Sequence, residues 1–394
     1  MTDTLAPSTE SELAEIVRGA AAERTPLAIV GGGTRQTLGR PVQAERALST
    51  RILAGITLYE PAELVLSARA GTPLAEVEAA LAERGQRLPF EPMDHRPMLG
   101  STGEPSIGGL VAANVSGPRR VHAGALRDSL IGVRMVTGRG EAISSGGRVM
   151  KNVTGYDLVK LSAGAFGTLG VLTEVTFKVL PRARGETTLV LDGLDDVRGI
   201  EALSAGLGSP FEVTAAAHLP ADGRGPAWTL LRLEGTAEQV DYRADALARR
   251  LARFGAARRL DADAGTPLWA GVRDGTALTQ RREQAVWRIS TAPSRGPAVV
   301  AALGKVVLER LYDWGGGLVW VTTETAGDAG AAMIRAVVKR EGGHATLVRA
   351  PEPLRAAVEV FEPLAPPLMA LTRGIKAAFD PAGVLNPGRM YAGI

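Results

Sequence analysis

Residues 105–120, Pro-Ser-Ile-Gly-Gly-Leu-Val-Ala-Ala-Asn-Val-Ser-Gly-Pro-Arg-Arg, constrain this chain more than any other stretch. A hydroxyl, Ser106, precedes Ile107 and the pair Gly108–Gly109. A run of small apolar residues follows, and then Asn114, Ser116 and Gly117 stand before two arginines. Glycine lets a backbone approach a bulky group with no Cβ in the way. Consecutive N–H groups in such a turn form an anion-binding concavity. The stretch reads either as one wall of a slot for a large phosphate-bearing cofactor or as a glycine turn ahead of a buried helix.

Two further segments bear on that choice. The apolar residues 26–30 predict a short buried strand that runs into Gly31, Gly32, Gly33, Thr34 and Arg35. Freed N–H groups, a hydroxyl and a guanidinium fork together suit phosphate. This is not a dinucleotide fingerprint, because residue 36 is Gln, and it is not a P-loop, because no Gly-Lys-Ser/Thr follows. Residues 164–170, Gly-Ala-Phe-Gly-Thr-Leu-Gly, lead into an alternating strand in which Val171, Thr173, Val175, Phe177 and Val179 share a face. Glycine makes up 48 of 394 residues, against an ordinary share of about 7%. A single glycine motif therefore carries little weight, and the set of them carries more.

The chain has no cysteine. That excludes disulfides, thiolate metal sites, Cys-ligated iron–sulfur clusters and a cysteinyl link to a flavin. Basic and acidic residues nearly balance, 45 against 42, and no Lys/Arg block is interleaved with aromatics, so nucleic acid is not an expected partner. No run of about 18 apolar residues would span a membrane. The first residues lack the charged and apolar regions of a secretory signal. A cytoplasmic location is expected, with at most peripheral membrane association through partners. At 394 residues, two or three domains are expected.

In chain order, periodicity predicts a helix over 9–23, a strand over 64–70, and a helix after Thr72 as cap with Pro73 as its first residue. A hairpin arm is expected over 141–150, then a loop leading into a helix over 151–161. From 187 to about 364 the rhythm becomes α+β. Strands are expected near 187–191, 211–218, 227–234, 286–291, 317–323 and 344–349, and helices near 195–206, 236–254, 297–312 and 328–340. Together they imply an antiparallel sheet with helices on one face. A helix over 368–379 and a turn-rich tail over 380–390 close the chain.

The segments 29–35, 100–109, 113–119 and 166–172, in that order and with the tail 380–390, resemble the vanillyl-alcohol-oxidase or PCMH-type family of FAD-binding proteins. Within that family the chain is similar to the FAD-binding E subunits of bacterial glycolate oxidases. The resemblance implies an α+β fold: a two-part FAD-binding domain over 1–183 (parts 1–58 and 59–183), a cap domain with an antiparallel sheet over 184–364, and a helix and tail over 365–394 that pack back on the FAD domain. It implies non-covalent FAD. Gly31, Gly32, Gly33, Thr34 and Arg35 would form the pyrophosphate loop. Ser106, Ile107, Gly108 and Gly109 would run along the pyrophosphate and flavin, and Asn114, Ser116 and Gly117 would meet the flavin edge. Gly167, Thr168, Leu169, Gly170 and Val171 would lie near the ribityl and adenine side, and Asn386 and Arg389 in the tail that returns to the ring system.

It also implies oxidation of glycolate, a small 2-hydroxy acid, to glyoxylate, with electrons passing to a related FAD-binding D subunit and an iron–sulfur F subunit. One departure stands out. Relatives carry a Gly-His-x-Gly-Asp-Gly-Asn-x-His metal motif, whereas 343–349 here reads Gly-His-Ala-Thr-Leu-Val-Arg, so no metal is expected. Arg288 and Arg349 are the candidates for holding a substrate carboxylate, with ion pairing as the alternative use of each. His344 and Tyr156 are the candidate bases, and Trp287, Trp314 and Trp320 read as cap core. The competing readings are an electron-relay or structural subunit without its own substrate site, and a stand-alone dehydrogenase for another small hydroxy acid.

Overall fold

The computed structural model describes residues 3–147, 156–221 and 225–394. The chain divides into two compact units. Unit 1 comprises Met1–Val115, Gly124–Arg182 and Pro363–Ile394; unit 2 comprises Ser116–Ala123 and Ala183–Glu362. The contiguous division read from sequence did not anticipate that Ser116–Ala123 would leave unit 1 for unit 2.

In unit 1 a parallel sheet places strand Arg46–Ser49 between Asp3–Leu5 and Leu27–Val30. Helix Glu10–Glu23 covers it. Thr9 caps this helix by accepting from the Glu12 N–H, and Leu13, Ala14, Val17 and Ala20 form its buried stripe. A second, antiparallel sheet runs in the order Ile56–Glu60, Val65–Arg69, Gly170–Lys178, Leu130–Thr137, Ala142–Gly146. Its central strand, Gly170–Lys178, is buried on both faces except at Glu174 and Lys178. Its threonines are satisfied there: Thr173 Oγ1 donates to Glu10 (2.6 Å) and Thr176 Oγ1 bonds Ser67 Oγ (2.8 Å). The expected alternation thus marks a central strand whose second face is polar but hydrogen-bonded.

Two local expectations in unit 1 are corrected. Helix Leu74–Glu83 has Pro73, not Thr72, at its cap. The Thr72 hydroxyl is used by the preceding turn, donating to Arg69 O at 2.6 Å. Of the expected hairpin arm, strand Ala142–Gly146 is present, and 148–150 lie outside the described residues. So do 151–155 of the loop ahead of helix Leu158–Ser162.

Unit 2 is built on an eight-stranded antiparallel sheet, ordered Ala257–Leu260, Gly185–Asp192, Trp228–Gly235, Ala215–Leu219, Arg310–Asp313, Leu318–Thr323, Ala285–Ser290, His344–Arg349. Helices Asp196–Leu207, Ala237–Leu251, Gly296–Leu303 and Ala331–Glu341 pack on one face around Trp287, Tyr312 and Leu231. Burying each such large apolar side chain stabilises by roughly 1.5–3 kcal/mol. The single-faced arrangement is corrected at one end, where helix Ala262–Asp274 brings Trp269 and Val272 onto the opposite face against Val190, Ala217 and Leu230. Its neighbour Ala257–Leu260 is an edge strand whose two arginines break any apolar alternation, so the sequence pattern concealed it. The helix expected over 297–312 stops at Leu303, and Arg310–Asp313 is a strand inside the sheet with Leu311 and Tyr312 buried.

Candidate functional site

The glycine turns of unit 1 meet backbone to backbone. Glu104 N–H donates to Gly32 O at 3.0 Å. A Cβ on Gly32 would lie 1.5 Å from Glu104 O, and one on Gly103 would lie 1.9 Å from Gly32 O. Only glycine permits that approach. Gly33 is different: its φ is +82° and a Cβ there would meet nothing within 4 Å, so it faces open space. Ser106 joins the two turns. Its Oγ accepts from Gly32 N–H and from Gly109 N–H, each at 3.4 Å, and it caps helix Ile107–Ala113. Gly108 serves packing, since its Cβ would strike Ala70 Cβ at 2.6 Å.

Arg35 ends the first turn. Its guanidinium donates to His95 Nδ1 (3.3 Å), Thr34 Oγ1 (3.2 Å) and Met93 O (3.3 Å), all neutral acceptors. Burial pushes its pKa down to about 10, against the opposing charge of Asp94. That carboxylate is itself engaged by Arg96. A half-buried cation served by uncharged acceptors is stabilised further by an anion beside it. Arg35 and the open Gly33 turn therefore fit a diphosphate.

The tail draws the remaining motifs together. Asn386 Oδ1 accepts from Ile29 N–H (2.8 Å), its Nδ2 donates to Phe166 O (2.7 Å), and its N–H donates to Leu27 O (3.0 Å). Phe166 N–H in turn donates to Ala112 O at 2.9 Å. One side chain thus links the strand before the first glycine turn to the 164–170 segment, which in turn reaches helix Ile107–Ala113. Gly167 lies against it: a Cβ there would come 2.9 Å from Asn386 Nδ2. Asn114, Phe166 and Asn386 all adopt left-handed backbone, with φ of 48°, 51° and 45°. Such strain costs of order 1–3 kcal/mol per residue and persists where the surroundings over-determine it. Asn114 closes helix Ile107–Ala113, and its Oδ1 accepts from Arg127 N–H at 3.2 Å. Arg389 Nη2 donates to Arg35 O at 2.8 Å.

Two residues that sequence reasoning missed hold this tail. Lys376 Nζ donates to Thr168 O (2.8 Å), Leu385 O (2.8 Å) and Asp380 Oδ2 (2.6 Å). Asp380 also accepts from Val384 N–H (3.1 Å) and Leu385 N–H (2.8 Å). Burial pulls the Lys376 pKa below its ordinary value although Asp380 opposes the shift. A lysine four residues before an aspartate looks like a solvated helix pair in sequence, and only its burial shows otherwise. Leu169 and Val171 are core residues, and Gly170 lies against Met135 and Val136.

In unit 2 the segment Ser116–Ala123 is fixed by a buried ion pair between Arg119 and Glu234 and by Trp314 Nε1, which donates to Gly117 O at 3.0 Å. The Arg120 and Arg288 guanidiniums both lie on the Trp314 indole, 4.4 and 5.0 Å from the ring centroid. Burial, followed by the charge of Arg120, pushes the Arg288 pKa down to about 10. His344 opens strand His344–Arg349, next to Arg288 across the ladder, where Arg288 pairs Thr346 and Ser290 pairs His344. His344 is exposed at its strand end, and desolvation by its neighbours first, and the Arg288 charge second, hold its imidazole below the ordinary 6.5.

The structure brings Arg288 and His344 together and gives Arg349 another task. The Arg349 guanidinium donates to Gln284 O (3.1 Å), Leu278 O (3.2 Å) and Arg281 O (2.8 Å), tethering the loop that precedes strand Ala285–Ser290. Tyr156, in unit 1, is 91% exposed. Trp287 and Trp320 are core, as expected, but Trp314 has its polar edge and its π face both engaged. Among the described residues, no group of three or more His, Asp or Glu is placed to hold a metal ion.

The chain matches the family model for an FAD binding domain over residues 4–146 and that for the C-terminal domain of FAD linked oxidases over 357–390. It is 37% identical over 382 residues to the glycolate oxidase subunit GlcE of Escherichia coli (strain K12), covering 96% of this chain and 97% of that protein. It is 28% identical over 434 residues to the mitochondrial D-2-hydroxyglutarate dehydrogenase of Bos taurus, covering 98% of this chain and 76% of the relative. Similarity to the glycolate oxidase subunit GlcD of Bacillus subtilis (strain 168) is 30% over 187 residues, 47% of this chain and 38% of that one. Among solved structures, p-cresol methylhydroxylase with substrate bound superposes with a TM-score of 0.70 at 14% identity, over 99% of this chain and 88% of that chain. Alkyldihydroxyacetonephosphate synthase gives 0.68 at 16% identity, over 98% and 76%. At those identities the two structures speak for the fold alone.

Proposed function

The chain belongs to the family of FAD-linked oxidase subunits that includes the glycolate oxidase subunit GlcE of Escherichia coli, and on that premise we propose that it binds FAD non-covalently and oxidises a small 2-hydroxy acid, glycolate, to glyoxylate within a multi-subunit complex. The observation that carries the reading is the junction made by Asn386, which joins the tail to the strand before the first glycine turn and to the 164–170 segment in unit 1, while the neighbouring Arg389 bonds the backbone of Arg35. Gly31, Gly32, Gly33, Thr34 and Arg35 would hold the diphosphate. Ser106 and Gly109, Asn114, and Gly167 with Thr168 would line the rest of the cofactor. FAD, when bound, supplies the two-electron acceptor for the substrate's α-carbon hydrogen.

The protein's own contributions are orientation and proton removal. Arg288 holds the substrate carboxylate, and the neutral imidazole of His344 takes the hydroxyl proton. A depressed His344 pKa keeps that base unprotonated near neutral pH. Arg349 and Tyr156 are left out, because the first is committed to a loop and the second stands in the open.

The partners are a related FAD-binding D subunit and an iron–sulfur F subunit. A chain without cysteine cannot hold a Cys-ligated cluster, so electrons leave through another subunit. Among the described residues no helix is long and apolar enough to cross a membrane, and any membrane association would run through partners. The test is anaerobic addition of glycolate to the FAD-loaded chain, alone and with its partner subunits. Bleaching of the flavin is expected. A chain that takes up no FAD, or a flavin that glycolate leaves oxidised in both settings, would overturn the reading.

A further inference from the structure

We propose that Arg335 and Glu362 are positioning residues for His344, clamping the backbone at Ala345 so that the imidazole is carried on a fixed strand end. The inference rests on the reading of His344 as the base given above, and the groups that form the clamp all belong to unit 2.

Strand His344–Arg349 is the last of the eight in its sheet. An edge strand has a ladder on one side alone, and His344 is its first residue, where chains fray. The residue is exposed and, among the described residues, its ring makes no hydrogen bond. A base in such a place keeps its aim only if something else holds the backbone.

The backbone is held on both sides of His344. Before it, Gly343 has a φ of +133°, and a Cβ there would lie 2.2 Å from Ser290 O, so only glycine fits. Thr291 Oγ1 donates to Gly342 O at 2.6 Å. After it, Ala345 N–H donates to Glu362 Oε2 at 3.0 Å, and Ala345 O accepts from Arg335 Nη1. The same Nη1 donates to Glu362 Oε2, which closes the clamp. Arg335 comes from helix Ala331–Glu341, and its guanidinium lies 5.3 Å from the Trp287 ring centroid. Its Nη2 donates to Glu359 O and to Phe361 O, each at 2.9 Å, and Leu347 N–H donates to Val360 O at 2.8 Å. Residues 359–362 are thereby laid along the free edge of the strand. A surface ion pair joins two side chains, whereas this one also joins two stretches of backbone.

The charges that act on the imidazole are Arg288 on the neighbouring strand, Glu362, Arg120 and Arg335. The three arginines favour the neutral ring, and Glu362 alone favours the protonated one. Removing the Glu362 charge therefore makes the ring harder to protonate, a mark that a purely structural glutamate would not leave.

The test uses the full chain, flavin-free for NMR and FAD-loaded for rates. Glu362→Gln keeps an acceptor for Ala345 N–H and removes the charge. The His344 imidazole, identified by its loss in His344→Gln, should titrate at lower pH than in the wild type. The acid limb of flavin reduction by glycolate should move the same way, with KM within about twofold. An unmoved titration and an unmoved limb would overturn the proposal. Arg335→Met keeps a stem against Trp287 and removes the donors. It should slow flavin reduction about tenfold with KM within about threefold, and speed exchange of the Ala345 amide about tenfold. Arg335→Lys restores a charged donor and should recover part of both. Wild-type reduction and exchange in Arg335→Met would overturn the clamp. Should Arg335→Met melt early, the Glu362→Gln titration decides. If His344→Gln reduces as fast as the wild type, or the wild type takes up no FAD, the functional reading fails instead. The imidazole titration and the Ala345 exchange then still decide whether the pair holds the strand end.

Discussion

Replacing Lys376 by Met tests how the tail is held. Methionine matches the length and apolar stem of lysine and removes every donor. The ammonium now serves Thr168 O, Leu385 O and Asp380 Oδ2. Without it, two buried carbonyls lose their partner, and the fully buried Asp380 carboxylate keeps only the Val384 and Leu385 N–H groups. Each neutral group left unsatisfied costs about 1–3 kcal/mol, and breaking a buried ion pair by removing one partner costs about 3–5 kcal/mol. The terms overlap, so a loss of about 4 kcal/mol is expected. For a unit of this size each kcal/mol is worth about 2–4 °C, giving a fall of about 10 °C in Tm by circular dichroism. FAD release should accompany it, because Thr168 and Leu385 flank Gly167 and Asn386. In the double variant Lys376→Met/Asp380→Asn no buried charge is stranded, and about half of the loss should return. A Lys376→Met protein melting within 1–2 °C of wild type with full flavin content would refute the reasoning.

Gly32→Ala forces a methyl to within 1.5 Å of Glu104 O; it should cost about 1–3 kcal/mol and abolish flavin uptake, read as the absorbance ratio of the purified chain. For His344 the depressed pKa means that the folded chain binds fewer protons than the unfolded chain below the ordinary value of 6.5. Its contribution to stability is complete above that value and is lost as pH falls below it. Glycolate reduction of the flavin should accordingly stay flat from about pH 8 to 6.5 and decline only on the acid side, and His344→Gln should be slow at every pH; an unchanged acid limb in that variant would assign the base elsewhere. Arg349→Met removes three bonds to backbone carbonyls and should lower stability by about 2 kcal/mol while leaving the KM for glycolate within twofold. A large rise in KM without a change in melting would return Arg349 to the substrate site.

Much of the architecture was legible in the sequence because the signals were local. Period-2 and period-3.6 patterns placed most strands and helices, and the glycines of 31–33 and 108–109 announced close backbone approach. Where locality failed, so did the reading. The edge strand Ala257–Leu260 carries two arginines in place of an apolar alternation. Arg310–Asp313 follows a helix closed by the lone Gly304, whose signal the continuing apolar run 306–308 obscures, and becomes a strand because the sheet accepts Leu311 and Tyr312 on its two faces.

The candidate site divides along the same line. Residue type nominated Arg35 and Ser106, since a phosphate needs N–H donors, hydroxyls and a fixed cation, and the family resemblance added Gly167 and Asn386. Residue type could not separate Arg288 from Arg349, two arginines at the same kind of strand position. The separation comes from what each guanidinium meets: three carbonyls for Arg349, an indole and a second cation for Arg288. Nor could it show that Lys376 is buried, that Asn386 links three segments, or that Ser116–Ala123 joins unit 2. Composition and periodicity belong to the chain, but a hydrogen bond between residues hundreds of positions apart exists only once the fold has brought donor and acceptor within 3 Å.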